Sequence, residues 1–220
     1  MSEADPNPHR PAGLAGEVRR AGLAGVILAA GESRRMGRPK ALLVAPGWEP
    51  PESFLDRMIG LLAAHSAPVI VVLGAHADAI GGGCARASQA AFVVNERYRD
   101  GQLSSLQCGL RAVPEEAAGV IFTPVDFPRV LAGTVAGVVA AFWRGGGTGL
   151  VIPRHQGARG HPVCAARKFI LEFLALPAEA QAREIVHRHA GEACYVDVDD
   201  PGILRDVDDP EAYRSLAELP

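Results

Sequence analysis

Short, uninterrupted apolar runs alternate along this chain of 220 residues with segments of helical periodicity. The run VIVVL at residues 69–73 is continuous and rich in β-branched residues, as in a strand that is buried on both faces. Before it, apolar residues recur at helical spacing over residues 54–62, after Ser53, a residue type that caps helices well. This alternation predicts a mostly parallel sheet with right-handed helical crossovers.

The remaining elements follow from the same patterns of apolar residues and from Gly and Pro punctuation. Further strands are predicted at residues 26–28, 91–94, 119–126, 150–153, 195–198 and 203–207. Helices are predicted from Leu103, over residues 131–143 and over residues 211–219, the last with Asp209 as its N-cap. Pro201 and Gly202 would form the turn between the two final strands.

Composition indicates one ordinary globular domain over residues 24–220, with 48% hydrophobic and 21% charged residues. Residues 1–23 mix Pro, Gly and charges of both signs without apolar periodicity, which predicts a flexible tail. They lack the long apolar region of a signal peptide. The most apolar region, residues 61–80, is interrupted by polar residues and proline, so no transmembrane helix is expected.

Charge and cysteine usage exclude several classes of function. The net charge of −3 and the pI near 6.2 argue against a general binder of nucleic acids or membrane surfaces, which usually carries a basic excess. The four cysteines are scattered without a CxxC pair, as expected for reduced thiols in a cytoplasmic protein. Because the net charge is slightly negative, any anion-binding site must be a local cluster of positive charge.

The stretch GVILAAGESRRMGRPK at residues 25–40 has the order of a strand that delivers a phosphate-binding loop. Small residues after the strand let a ligand approach the main chain, whose amides can point at an anion. Arg35 and Lys40 would add full positive charges. The spacing fits neither the P-loop nor the dinucleotide fingerprint GxGxxG. An ordinary strand-to-helix turn with a solvated basic face is the alternative.

This stretch closely resembles the signature LAAGxSxRMGxxK of the nucleotidyltransferases that include CTP:molybdopterin cytidylyltransferase. The matching residues are Leu28, Ala29, Ala30, Gly31, Ser33, Arg35, Met36, Gly37 and Lys40, with Glu32 at a variable position inside the loop. In that family the loop wraps the triphosphate of a nucleoside triphosphate. The resemblance implies that Arg35 and Lys40 are catalytic contacts to the phosphates. It also implies that the following loop residues bind nucleotide: Leu28, Ala29, Ala30, Gly31, Glu32, Ser33 and Gly37.

A second segment, NERYRDGQLSSLQCGL, comes after the strand predicted at residues 91–94. Loops at strand ends are where α/β sheets bind ligands. Its residues resemble the family's second motif, in which main-chain and small polar groups bracket the nucleobase: Asn95, Gly101, Ser104, Ser105 and Gly109. Alternatively, the two serines only cap the following helix.

Asp126 ends the strand in GVIFTPVDFP, because Pro128 prevents its continuation. Magnesium prefers hard oxygen ligands and commonly takes one or two carboxylates together with substrate phosphates. By resemblance to the family's Asp-x-Pro motif, Asp126 is expected to be catalytic and the main ligand of Mg²⁺. Alternatively, it only caps the following turn.

The chain ends with an acidic cluster in the segment LRDVDDPEAY. This segment resembles the family's closing motif, in which an acidic or amide side chain completes the metal site. Asp206 is the first choice for that role, and Asp208 is the alternative. The neighbouring acids, Asp197, Asp199 and Asp200, are expected to be solvated turn charges.

Gly160, His161 and Pro162 resemble part of the family's GHPV segment, on the side of the site that receives the acceptor. A His beside a Pro could equally be a turn residue without chemistry. The resemblance does not make His161 a general base, since an acceptor phosphate already carries its nucleophilic charge at neutral pH.

With every motif in order from residue 25 to about residue 216, the resemblance implies a three-layer α/β/α sandwich of the Rossmann-like, GT-A type. The implied reaction moves CMP from CTP to a phosphorylated acceptor, with molybdopterin favoured, and releases pyrophosphate. CTP is favoured over GTP because the family's guanylyltransferases tend to carry LAGG and a GPL-type second motif. The alternatives are a relative acting on another phosphorylated small molecule, or an inactive nucleotide-binding assembly partner. Transient contact with a molybdenum enzyme or its chaperone is a further expectation.

Overall fold

The computed structural model describes residues 22–218, which form an eight-stranded mixed sheet with helices on both faces. The predicted tail therefore lies outside the described residues, except that Leu23 is buried as the first residue of the first strand. The strands are β1 (Leu23–Ala29), β2 (Val69–Leu73), β3 (Ala91–Val94), β4 (Gly119–Pro124), β5 (Leu150–His155), β6 (Ala158–Arg159), β7 (Val163–Ala166) and β8 (Cys194–Asp197).

Residues 22–218 also form seven α-helices and several short 3-10 turns. The helices are α1 (Phe54–Ala63), α2 (Ala77–Gly83), α3 (Gln102–Arg111), α4 (Ala132–Arg144), α5 (Arg167–Ala175), α6 (Arg183–Arg188) and α7 (Pro210–Ser215). As predicted, Ser53 caps α1 by accepting a hydrogen bond from the amide of Asp56, and Asp209 caps α7. No helix within residues 22–218 has both the length and the apolar character needed to cross a membrane.

Two successive residues of β1 show the three layers. A side chain at Gly25 would meet Leu62 of α1, whereas the side chain of Val26 lies where a Cβ at Gly109 of α3 would be. Because neighbouring residues of a strand point to opposite faces, α1 and α3 cover opposite faces of the sheet. Helix α4 contacts α1, and α5 contacts α3, so each layer holds two of the long helices. The predicted three-layer sandwich is confirmed.

The sheet order is β3-β2-β1-β4-β7-β5-β6, with β8 paired to β5. Strands β3, β2, β1 and β4 are parallel neighbours, and β8 runs parallel to β5. Strand β7 is antiparallel to both β4 and β5, and β6 is antiparallel to β5. The prediction of a mostly parallel sheet is therefore confirmed. In the register of β1 and β4, Leu28 lies beside Pro124, so the loops after these two strands leave the sheet at the same edge.

The predicted strand at residues 203–207 is wrong. Residues Pro201–Leu204 form a 3-10 turn, and residues 205–208 are irregular. The carboxylate of Asp200 starts this turn by accepting from the amide of Gly202 at 2.9 Å. After the turn, the amide of Val207 donates to the carbonyl oxygen of Asp126 at 2.8 Å, which holds the segment against the end of β4 rather than in the sheet.

Asp200 is also not a solvated turn charge. Its side chain is 2% exposed and accepts hydrogen bonds from the amide of Leu131 at 2.9 Å and the hydroxyl of Thr134 at 2.6 Å. With the bond from Gly202, these contacts join the last third of the chain to the start of α4. Asp199, by contrast, is fully exposed, and Asp197 pairs with Arg154 on the surface.

The cysteines agree with the predicted reduced state. All four are free, with Cys84 and Cys164 buried, Cys108 half-buried and Cys194 exposed. Burial raises the pKa of the Cys84 thiol to about 11, which keeps it protonated at neutral pH.

Candidate active site

Four charged side chains meet where the loops after β1 and β4 leave the sheet. The ammonium of Lys40 lies 2.9 Å from Oδ2 of Asp126 and 2.7 Å from Oδ1 of Asp208. The other oxygen of Asp208 accepts from the guanidinium of Arg35 at 3.1 Å. We call Arg35, Lys40, Asp126 and Asp208 the charged cluster. It joins residues that are up to 173 positions apart in the sequence.

The loop after β1 turns back on itself to bring Lys40 into the charged cluster. Ser33 and Gly37 both adopt left-handed backbone conformations, with φ of 51° and 67°, at the two ends of a short 3-10 turn, Arg34–Met36. The hydroxyl of Ser33 then accepts a hydrogen bond from the amide of Lys40 at 3.0 Å. The serine and the glycine of the signature therefore shape the loop, and Gly suits its position because it has no Cβ to clash.

Gly31 has a different role, because a Cβ built there would meet no protein atom within 4 Å. It lines two adjoining cavities of about 230 Å³ and 520 Å³, which we call the inner and outer nucleotide cavities. The missing side chain leaves this side of the loop open to a ligand. Predicted residues that line one or both cavities are Leu28, Ala29, Ala30, Gly31, Glu32, Ser33, Arg35, Lys40, Gly101, Ser105, Asp126 and Asp208.

The charges of the cluster influence one another's protonation. Burial alone would lower the pKa of Lys40, but the carboxylates of Asp126 and Asp208 outweigh it, and the pKa is raised. The hydrogen bond from Lys40 lowers the pKa of Asp208. Burial raises the pKa of Asp126, and Lys40 opposes this only in part. At neutral pH, one half-buried cation therefore faces two acids, of which Asp126 is the more easily protonated.

Asp126 and Asp208 together fit a divalent cation. Oδ1 of Asp126 is shielded from solvent and has no hydrogen-bond partner among residues 22–218, so one carboxylate oxygen remains available as a ligand. Hard oxygen donors of this kind suit Mg²⁺ or Mn²⁺. No group of three or more His, Cys, Asp or Glu side chains in this part of the chain could hold a metal, so further ligands would have to come from substrate oxygens or water.

The geometry favours Asp208 over Asp206, the residue that the sequence suggested first. Asp206 is exposed, and none of the contacts within residues 22–218 joins it to the charged cluster. The physical reason is the irregular path of residues 205–208, which a strand prediction misses: Val207 is buried and bonded to the main chain of Asp126. That anchor holds Asp208 beside Lys40.

Asn95 and Ser104 organise the second segment rather than line the nucleotide cavities. The amide of Asn95, which is 7% exposed, donates to the hydroxyls of Ser104 at 2.9 Å and Ser105 at 3.1 Å. The N-cap of α3 is Gly101, so the alternative that the serines cap this helix is wrong. Of the three polar residues predicted to bracket the base, Ser105 is the one that lines the inner cavity.

Gly109 is required for packing. A Cβ there would lie 2.6 Å from a methyl carbon of Val26 and 2.8 Å from one of Val72, so the glycine lets α3 approach the sheet closely.

Glu32 is held by two arginines and is not part of a free loop. Its carboxylate contacts the guanidinium groups of Arg34 and, at 3.3 Å, Arg99, and the hydrogen bond from Arg34 lowers its pKa. Its carbonyl oxygen lies 3.0 Å from Nε2 of His76. These contacts tie the loop after β1 to the segments after β2 and β3.

Sequence reasoning missed Tyr98 and Gln102, which both line the inner cavity. The signal was their position, since both lie between Asn95 and Ser104 in a segment directly after a strand. Their orientation depends on a 3-10 turn, Tyr98–Asp100, and on Gly101 with φ of 104°, which no apolar pattern reveals.

A third cavity, of about 420 Å³, adjoins the inner nucleotide cavity, and Gly160 and His161, which the sequence predicts to lie on the acceptor side, line it. The next residue, Pro162, is buried. We call this space the acceptor-side cavity. A Cβ at Gly160 would clash with the carbonyl group of Ile203, so this glycine permits close contact with the 3-10 turn Pro201–Leu204.

His161 is an aromatic wall of this cavity. Its ring centroid lies 4.9 Å from that of Phe127 and 6.4 Å from that of Phe122, and its Nδ1 is shielded from solvent. Burial lowers the pKa of His161 to about 4. The imidazole is therefore neutral at pH 7.

Because His161 is neutral when folded, acid should destabilise the protein through it. The unfolded chain takes up a proton on this residue below about pH 6.5, whereas the folded protein resists it down to about pH 4. Stability is thus lost as the pH falls from 6.5 towards 4, at up to about 1.4 kcal/mol per pH unit. His161→Gln is expected to flatten this slope in urea unfolding curves measured between pH 4.5 and 7.

His65→Gln, just after α1, is the matched control for replacing a histidine. Its unfolding free energy should depend on pH as that of the wild type does. An unchanged slope in His161→Gln would mean that His161 titrates normally in the folded protein.

Comparison with known proteins identifies the family of the chain and covers most of the charged cluster. Residues 25–193, more than half of the chain, match the model of the MobA-like NTP transferase domain. This region contains Arg35, Lys40 and Asp126, whereas Asp208 lies beyond it.

Individual relatives agree with this match. The molybdenum cofactor cytidylyltransferase of Escherichia coli (strain K12) is 25% identical over 193 residues, covering 88% of this chain and 94% of that protein. A probable molybdenum cofactor guanylyltransferase of Mycobacterium ulcerans (strain Agy99) is 37% identical over 107 residues, covering 48% of this chain and 49% of that protein.

Solved structures show the same fold. Rv0371c from Mycobacterium tuberculosis H37Rv is 24% identical, with a TM-score of 0.74, covering 91% of this chain and 100% of that one. Its manganese complex is 25% identical, with a TM-score of 0.69 and the same coverage. On the match over residues 25–193, the chain belongs to the MobA-like NTP transferase family and is a nucleotidyltransferase.

Proposed function

We propose that the protein transfers CMP from CTP to the phosphate of molybdopterin and releases pyrophosphate. The observation that carries this proposal is the position of the Lys40 ammonium, within 2.9 Å of Asp126 and Asp208, beside the open side of Gly31. The half-buried Lys40 supplies positive charge beside the open side of the loop, and two carboxylates supply ligands for a divalent cation. Transfer of a nucleotidyl group needs these parts together.

In the proposed reaction, a phosphate oxygen of the acceptor attacks the α-phosphorus of CTP. The bond from the α-phosphorus to the oxygen that joins it to the β-phosphorus breaks, and that oxygen leaves with pyrophosphate. Arg35 and Lys40 would exchange carboxylate partners for phosphate oxygens as the triphosphate enters, and both would stabilise the charge that develops on the leaving group. Main-chain amides around Gly31 would orient the phosphates.

Asp126 and Asp208 would hold the divalent cation, which when bound supplies Lewis-acid stabilisation of phosphate oxygens. A general base is not required, since the acceptor phosphate is already an anion at neutral pH. His161, with a pKa of about 4, is neutral there and would act as an apolar wall.

The choice of CTP rests on the loop sequence and on one relative. Residues 28–31 read LAAG, and Ser105 lines the inner cavity beside Tyr98 and Gln102, where the base would lie. The Escherichia coli relative that spans nearly the whole chain is named a cytidylyltransferase. The half-length match is named for guanylyl transfer, so GTP is the competing nucleotide.

The rate of pyrophosphate release tests both the choice of nucleotide and the choice of acceptor. Purified protein is mixed with Mg²⁺, molybdopterin and either CTP or GTP, with sugar phosphates in place of molybdopterin in a parallel series. We expect release with CTP and molybdopterin at a kcat/KM at least about tenfold above the GTP value, a difference of about 1.4 kcal/mol.

A preference for GTP would overturn the nucleotide assignment, and faster release with a sugar phosphate would overturn the acceptor assignment. Binding of CTP in a calorimeter without pyrophosphate release with any acceptor would make the protein a nucleotide carrier. Mn²⁺ in place of Mg²⁺ shows which cation supports turnover.

A further inference from the structure

The acceptor-side cavity shares three lining residues with the inner nucleotide cavity: Leu28, Gln102 and Pro124. A molecule in it can therefore present a phosphate to the charged cluster while the rest of the molecule extends away. A role for this cavity in choosing the acceptor rests on the proposed function, because the acceptor is a substrate of that reaction.

The floor of this cavity is apolar and partly aromatic. Phe122 packs edge-on against Phe173, with ring centroids 5.7 Å apart, and Phe127 packs against the ring of His161. Leu106, Ile152 and Val163 are further apolar residues of its lining. A flat ring system with little charge would be a good fit for such a surface.

The rim, in contrast, is basic. Arg159, Arg183 and His187 line the cavity, and its lining residues include no Asp or Glu. Arg183 and His187 are four positions apart on α6, so both project from one face of that helix. The guanidinium of Arg159 lies 5.0 Å from the ring centroid of Tyr195, which supports it from behind.

These basic groups differ from the neighbouring arginines in their partners. Arg154 is paired with Asp197, and Arg188 of α6 is paired with Glu172. Within residues 22–218, no carboxylate lies within ion-pairing distance of Arg159, Arg183 or His187. Three donors on one rim without acids can all point at an external anion.

We propose that Arg159, Arg183 and His187 bind a second anionic group of the acceptor, separate from its reacting phosphate. The acceptor would then be a flat, ring-containing molecule that carries a second negative group besides its phosphate. These three residues would select it against acceptors that carry a single phosphate, such as sugar phosphates.

The test compares single variants of the rim with a matched control. Arg159→Gln and Arg183→Gln are each expected to raise the KM for molybdopterin roughly 10- to 100-fold, as loss of a charge-assisted hydrogen bond does. The KM for CTP and kcat at saturating molybdopterin should change less than about threefold. Arg188→Gln, on the same helix but outside the cavity, should retain wild-type values.

A second acceptor separates anion recognition from a general defect. Hydroxymethylpterin phosphate carries the ring and one phosphate but lacks the second anionic group. Arg183→Gln should leave its binding, followed by pterin fluorescence, within about threefold of wild type, and Arg183→Lys should recover part of the affinity for molybdopterin.

Unchanged KM for molybdopterin in both variants would overturn the proposal, as would an equal loss for both acceptors. If pyrophosphate release with CTP persists in those cases, the proposed function stands without this rim. If no acceptor supports turnover, yet molybdopterin binding depends on Arg183, the rim proposal stands and the proposed function fails.

Discussion

Replacing Asp126 by Asn is expected to lower kcat by roughly two to three orders of magnitude, as loss of one major electrostatic stabiliser often does. The change removes a charge while keeping the shape of the side chain. In the structure, Asp126 contributes one oxygen to Lys40, and its other oxygen is shielded from solvent without a partner among residues 22–218. Steady-state pyrophosphate release with CTP measures the loss, and a thermal melt checks that the fold is retained.

The other acids of the site give this experiment its controls. Asp208→Asn should also lower turnover, by less than Asp126→Asn, because Asp208 is 40% exposed and water can partly replace it. Asp206→Asn should leave turnover near wild type, since Asp206 is exposed and outside the charged cluster. Near-normal turnover in Asp126→Asn would remove Asp126 from the site, and a large loss in Asp206→Asn would reverse the assignment of the terminal acid.

Much of the fold can be predicted from local patterns in the sequence. The runs at β1, β2 and β4 are continuous and apolar because these strands are covered on both faces, and such runs are easy to recognise. Ser53 and Asp209 were found as caps because capping depends on residues within three or four positions. Local signals of this kind survive in almost any tertiary context.

The segment after β8 shows where local reading fails. Ile203 and Val207 are apolar and β-branched, which suggests a strand. Both are buried, but the segment that contains them is not part of the sheet. The path is set by distant partners: Asp200 bonds to Leu131 and Thr134, and Val207 bonds to Asp126. Because these partners are distant in the sequence, apolar spacing alone cannot reveal them.

The same distinction holds in the site. Motifs predict Arg35, Lys40 and Asp126, because each lies in a loop that directly follows a strand. These loops line the nucleotide cavities. The selection of Asp208 over Asp206 required the position of Val207. Arg183 and His187 carry no motif at all, and their position on the acceptor-side cavity depends on how α6 packs. Residues that directly follow a strand can be predicted from the sequence, whereas residues that reach a site through the packing of a helix cannot.

Replacing Lys40 by Ala is expected to lower kcat/KM for CTP by about 2 to 4 kcal/mol, roughly 30- to 1,000-fold. Lys40 is 14% exposed and lies between two carboxylates, so its loss leaves Asp126 and Asp208 facing an incoming triphosphate without a neutralising charge. The cost should be larger in kcat than in CTP affinity, because the positive charge is needed most as pyrophosphate departs. Calorimetric titration of CTP, together with initial rates, separates the two contributions.

Lys40→Arg should recover only part of the loss. A guanidinium keeps the charge, but its planar fork cannot occupy the position of a compact ammonium that contacts two carboxylates at 2.9 and 2.7 Å. Arg38→Ala is the control within the same loop, since Arg38 packs over the ring of Tyr213 and lies outside the charged cluster. Wild-type kcat/KM in Lys40→Ala would reduce the loop after β1 to a structural turn and would leave the proposed transfer without its main physical support.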